Sequence, residues 1–233
     1  MRVVRGRVDD VERDRAVTRR LVDHVAGSGE PAARAWAPPR QVAFGRRDAT
    51  ADGYDRAREA ALERGFAPVE RSVGGHAVAY TGETVAFVYA VPVAGADARM
   101  GIQSRYADVL NRLQGAFEAM EVPVRRGEPD AAFCPGEHSL QRDGKVVGLA
   151  QRVTGGSAVV GGCAVVSEAD EADLARVLEP VYDALEVPFD PASVGSVEGA
   201  GGPGDPEVVA DALGRAFAGE AAVQRVDATA LLE

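Results

Sequence analysis

The sequence predicts an α+β fold, a mixed β-sheet with helices packed against it. Three observations carry that expectation. The chain has 233 residues, 46% of them hydrophobic, enough for one well-buried core with at most a small appendage. Apolar residues recur at helical spacing in some stretches and in short, turn-bounded runs in others. The order of these stretches suits helices laid on a mixed sheet.

Residues 9–27 place Val11, Ala16, Leu21, Val22 and Val25 among charges, an amphipathic helix closed by Gly27. Short runs at 33–36 and 41–44, separated by Pro38-Pro39, read as strands. A second helix fits 51–65 and ends at Gly65. Strands are expected at 67–70, 76–80 and 84–91, the last stopped by Pro92. Residues 103–121 form a long helix with Tyr106, Val109, Leu110, Leu113 and Phe117 on one face. From 138 to 166 the chain reads as three strands with tight turns at Asp143-Gly144 and Gly155-Gly156. A helix at 169–185 follows. The Gly-rich stretch 199–206 reads as a flexible link to a short helix at 206–218 and an apolar tail. The expected division is a main domain over 1–195 and a linked C-terminal helix over 196–233, packed on the same domain.

Net charge is −10, with 36 acidic residues against 26 basic ones, which argues against nucleic acid as a partner. Acid excess of this kind also keeps proteins soluble in salt-adapted proteomes, a property of source rather than of function. There is no run of 18 apolar residues to cross a membrane, and the charged N-terminus lacks the apolar stretch of a secretion signal. Two cysteines make no disulfide framework, and no CxxC or His/Cys cluster suggests zinc. His24, His76 and His138 are scattered. A cytoplasmic, metal-free protein is expected.

Lys145 is the only lysine; every other side-chain cation is arginine. Lysine is a compact charge whose amine can reach a polarised oxygen. It closes the stretch FCPGEHSLQRDGK, in which Cys134 stands before a Pro135-Gly136 turn that would bring its thiol to a pocket mouth. A thiolate near an ammonium is a usable nucleophile, and the ammonium can stabilise a tetrahedral oxyanion. The plainer alternatives are a stray surface lysine and a buried, inert cysteine; Cys163, within a strand-like run, fits the latter. His138 lies four residues after Cys134, but sequence neighbours rarely form a Cys/His dyad. The second candidate segment runs from Arg71 to Tyr80, RSVGGHAVAY. Its paired glycines permit close backbone approach to a ligand, and Arg71 could bind a carboxylate or phosphate. An ordinary Gly-Gly turn is the competing reading, because the segment is neither a GxGxxG nor a P-loop motif. There is no GxSxG elbow of a serine hydrolase.

RAWAPPRQVAFGRRD, RSVGGHAVAYTG and GKVVGLAQR together resemble the family of lipoate–protein ligase A, biotin–protein ligase and the octanoyltransferases, over roughly residues 8–190. The resemblance implies a lipoate/biotin ligase-type catalytic domain in which Lys145 falls on the catalytic lysine. Cysteine before Pro-Gly is most similar to the octanoyl amidotransferase branch, which implies Cys134 as nucleophile. It further implies an octanoyl or lipoyl group moved between lipoyl-type domains, those of the glycine-cleavage H protein and of 2-oxoacid dehydrogenase E2. Arg71, Gly74, Gly75, His76, Ala77, Val78, Gly148 and Ala150 would contact the substrate, with Gly74, Gly75 and the strand at 77–79 lining an acyl tunnel. No cofactor is needed for that reaction. Two alternatives stay open: a ligase using ATP and Mg, for which Cys134 is dispensable, and a non-catalytic carrier-binding relative. The sequence departs from the ligase pattern at His76, Tyr80 and Gly161-Gly162.

Overall fold

The Gly155-Gly156 turn, with Gly156 at φ +92°, lets the chain double back into a long hairpin. A computed structural model describes residues 1–71, 74–94 and 101–233; Ser72 and Val73 of the RSVGG segment lie outside them. The hairpin is β9 (Lys145–Thr154) and β10 (Ser157–Ala164), paired from Ser157↔Thr154 to Ala164↔Val147. The other strands are β1 (Arg2–Arg5), β2 (Ala32–Trp36), β3 (Gln41–Phe44), β4 (Ala67–Glu70), β5 (Val78–Tyr80), β6 (Val85–Pro92), β7 (Arg125–Arg126), β8 (Ser139–Gln141) and β11 (Gln224–Asp227). Eight form a mixed sheet in the order β11-β1-β2-β6-β10-β9-β8-β7, and a smaller sheet runs β4-β3-β5.

Five α-helices among the described residues cover these sheets: α1 (Val11–Ser28), α2 (Tyr54–Glu63), α3 (Ile102–Ala119), α4 (Glu168–Ala184) and α5 (Pro206–Ala218). The side chains of β6 alternate between faces. Phe87 joins Leu113 and Phe117 of α3 and Leu213 and Phe217 of α5. Ala86 and Val88 meet Val17, Leu21 and Val25 of α1. The small sheet, backed by α2 and α4, forms a further core from Val42, Phe44, Ala57, Leu178 and Tyr182. The mixed sheet with packed helices is the fold class the sequence predicts.

Several boundaries differ for local reasons. Helix α1 continues past Gly27 to Ser28, because Gly29, at φ +71°, is the residue that adopts the left-handed cap and bonds back to Val25. A 3₁₀ turn over Asp48–Thr50 delays α2 to Tyr54. The strand expected from His76 starts at Val78, while Pro92 ends its strand from within, opposite Ser157. Strands β1, β7 and β11 were not anticipated; β1 pairs in parallel with both β2 and β11. The stretch read as a flexible link is instead folded into turns, with Gly202 N–H bonded to the Val197 carbonyl. A methyl at Gly202 would meet Val122 at 2.3 Å, so here glycine permits close packing rather than freedom.

Candidate active site

Between α1, the small sheet and the β9–β10 hairpin lies a cavity of about 660 Å³, within the size range of small-molecule pockets. Its lining includes Val78, Tyr80, Phe87, Phe133 and Cys163 together with Cys134, Lys145, Arg71 and Gly148. The α1 side contributes Arg15, Thr18, Arg19 and Val22, and the hairpin contributes Arg152, Thr154 and Val159, so polar and apolar side chains share the lining.

Cys134 sits in the loop joining β7 to β8 at φ +42°, uncommon for a residue with a side chain and sustained only where surroundings over-determine it. Three elements do so. Its N–H donates to the hydroxyl of Tyr182 on α4 at 2.6 Å, and that hydroxyl donates to the Ala77 carbonyl at 2.9 Å. Its carbonyl accepts from Lys145 Nζ at 3.1 Å. Its Sγ lies 3.1 Å from Nη2 of Arg71.

Arg71 follows β4, its N–H bonded to the Phe44 carbonyl, and Nη2 also donates to the His76 carbonyl at 2.6 Å. Burial works against the guanidinium charge, but Cys134 and Tyr80 more than offset it, so Arg71 is held above its ordinary pKa. Its Nη2 thus faces both the Cys134 sulfur and the His76 carbonyl. Lys145, 1% exposed at its side chain, opens β9. Its Nζ donates to Glu128 Oε1 at 2.6 Å and to the Phe133 carbonyl at 2.9 Å, besides Cys134. Gly148 leaves room for this amine, since a methyl there would stand 3.0 Å from Lys145 Cε.

Of the RSVGGHAVAY residues, Val78 lines the cavity together with Arg71 and Tyr80. Gly74 is exposed, and Gly75 stands behind the cysteine: a methyl there would lie 2.7 Å from Sγ. The His76 ring turns to Asp48, Nδ1 to Oδ1 at 2.8 Å, and Ala77 is buried with its carbonyl on Tyr182. Gly74, Gly75 and Ala77, expected along an acyl tunnel, are not among the residues that line this cavity, whereas Val78 is. Ala150 lines it from β9. His138 stacks on Tyr106, ring centroids 3.7 Å apart, with no bond to Cys134. Cys163 is buried in β10, and burial pushes its thiol up to about 12, so it stays protonated near neutrality. Among the described residues no group of three His, Cys, Asp or Glu side chains could hold a metal ion, and no helix is long and apolar enough to cross a membrane.

Sequence reading did not single out Glu128, Tyr182 or Asp48. Glu128 is one of 36 acids and Tyr182 sits in an ordinary amphipathic pattern; no local signal marks either.

In fold the chain is a lipoate–protein ligase-type domain. It superposes on a lipoate–protein ligase A solved with ATP at a TM-score of 0.76, with 16% identity, covering 99% of this chain and 91% of that one. A bipartite lipoate–protein ligase from Thermoplasma acidophilum, solved with its E2 lipoyl domain, gives 0.68 at 15% identity, covering 99% and 89%. Residues 10–218 match the lipoyl protein ligase A/B catalytic domain, and the chain belongs to that family. It is 32% identical over 130 residues to an octanoyl-[GcvH]:protein N-octanoyltransferase of Exiguobacterium sp.. That match spans 54% of this chain and 45% of the relative.

Proposed function

We propose that the protein is an acyltransferase of protein lipoylation, moving an octanoyl or lipoyl group between lysines of lipoyl-type domains through a thioester on Cys134. The observation that carries this reading is the contact between Cys134 Sγ and Arg71 Nη2 at 3.1 Å beside the cavity. A guanidinium N–H aimed at the sulfur fixes it beside the cavity, where a nucleophile is needed. Similarity to an octanoyl-[GcvH]:protein N-octanoyltransferase supports the same choice, with the glycine-cleavage H protein and 2-oxoacid dehydrogenase E2 as carriers.

In the first step the thiolate attacks the acyl-amide carbon. A carbon–sulfur bond forms, the carbon–nitrogen bond breaks, and the departing lysine amine takes up a proton. In the second, the acceptor's lysine amine forms the new amide, loses its proton, and the thiolate leaves. Lys145 would orient the acyl carbonyl and stabilise each oxyanion, and Val78, Gly148 and Ala150 would line the acyl group. Incubation with an octanoylated carrier domain should give a mass increase of one octanoyl group on the enzyme, absent in Cys134→Ser. Failure of the wild type to form any adduct sinks the reading.

A second reading, an ATP-dependent lipoate ligase, takes support from the fold shared with a ligase solved with ATP. Arg15, Arg19 and Arg152 line the same cavity and supply positive charge that a nucleotide's phosphates would need. No acidic cluster among the described residues fits a protein-held Mg, so a metal ion would depend on the nucleotide's phosphates. This reading expects lipoate- and ATP-dependent pyrophosphate release that survives Cys134→Ser.

A further inference from the structure

We propose that Glu128 is a positioning residue that keeps Lys145 aimed at the Cys134 loop, so that the amine can exchange one backbone carbonyl for the incoming acyl oxygen. The proposal rests on the transferase reading above. An ammonium has three hydrogens and no acceptor, and all three of Lys145's meet acceptors: Glu128 Oε1 at 2.6 Å, Phe133 O at 2.9 Å and Cys134 O at 3.1 Å. An acyl oxygen can be bound only if one of these is released.

The charge-assisted bond to the carboxylate is the shortest and strongest, whereas the neutral bond to the Cys134 carbonyl is the longest. The latter is therefore the one to exchange, and Glu128 is the pivot that keeps the amine in place. Gly148 leaves the cavity side of the amine open; a methyl there would come within 3.5 Å of Nζ. Glu128 makes no other hydrogen bond recorded among the described residues, and its Oε2 is buried without a partner. Taking this carboxylate and amine largely out of water has a desolvation cost that their mutual attraction must offset, so removing either partner leaves the other uncompensated.

Because Lys145 is the only lysine, protein grown with [13C,15N]lysine gives a single side-chain ammonium signal. In Glu128→Gln that signal should be lost to water exchange or shifted, and the rate of Cys134 thioester formation should fall about tenfold or more with carrier KM within about twofold. Glu128→Asp, which keeps the charge but shortens the reach, should fall between Gln and wild type, and it decides the matter if the Gln variant does not fold. An unchanged lysine signal, or an unchanged thioester rate, in a folded variant overturns the proposal. If the wild type forms no thioester, the transferase reading fails while the lysine signal still decides whether Glu128 holds Lys145.

Discussion

Replacing Gly75 by alanine tests whether the cysteine is held in a working geometry or merely packed. A methyl at Gly75 stands 2.7 Å from Cys134 Sγ and 3.2 Å from Arg71 Nη2, the first about 1 Å inside ordinary contact. The backbone at Gly75 has φ +88°, a region that costs an L-residue about 1–2 kcal/mol. The backbone cost should appear as a loss of about 1–2 kcal/mol in urea unfolding. The clash should appear in the chemistry, because Sγ is the nearest atom and must retreat from Arg71. A displacement of about 1 Å at a reacting atom can cost about 100-fold in rate. The assay is single-turnover formation of the octanoyl adduct, followed by mass spectrometry. A folded Gly75→Ala protein that forms the adduct within about twofold of the wild-type rate would refute the reasoning.

Tyr182→Phe removes the hydroxyl that joins Cys134 N–H to the Ala77 carbonyl. Each buried group left unpaired costs about 1–3 kcal/mol, so urea unfolding should show a clear loss and adduct formation should slow; unchanged values for both would show that the bridge is dispensable. Cys163 gives a pH signature. Its thiol is pushed by burial from an ordinary 9.0 to about 12, so between those values the unfolded chain has released a proton that the native chain retains. This contribution is fully present below pH 9.0 and is lost as pH rises towards 12, at up to about 1.4 kcal/mol per pH unit. Cys163→Ala should flatten that slope in unfolding measured across alkaline pH, and parallel slopes would contradict it. Iodoacetamide near neutrality should label Cys134 and spare Cys163 in the folded protein.

The legible part of the site was whatever local chemistry made conspicuous. Lys145 stood out because no other lysine exists, Cys134 because Pro-Gly follows it, and Arg71 because it precedes paired glycines. The hairpins at Asp143-Gly144 and Gly155-Gly156 and the long helices were readable because turn residues and helical periodicity are local. Strands β1 and β11 were not, since their pairing joins Arg2 to Gln224 and neither is long enough to show a pattern of its own. Gly202 read as slack because sequence shows a missing side chain, not the Val122 methyl that fills its place.

By itself, then, the sequence determined the α+β class, the helix and hairpin order, and which cysteine, lysine and arginine to watch. Only the tertiary structure decided what those residues do to one another. It brought Tyr182 across 48 positions onto the Cys134 amide and set Arg71 against the sulfur across 63. It also turned His76 away to Asp48 and used every hydrogen of Lys145 on Glu128 and two backbone carbonyls. The physical reason is that propensity and periodicity act over a few residues. The partners of a buried donor are fixed by which distant segments the core presses together, where each polar group must find an acceptor.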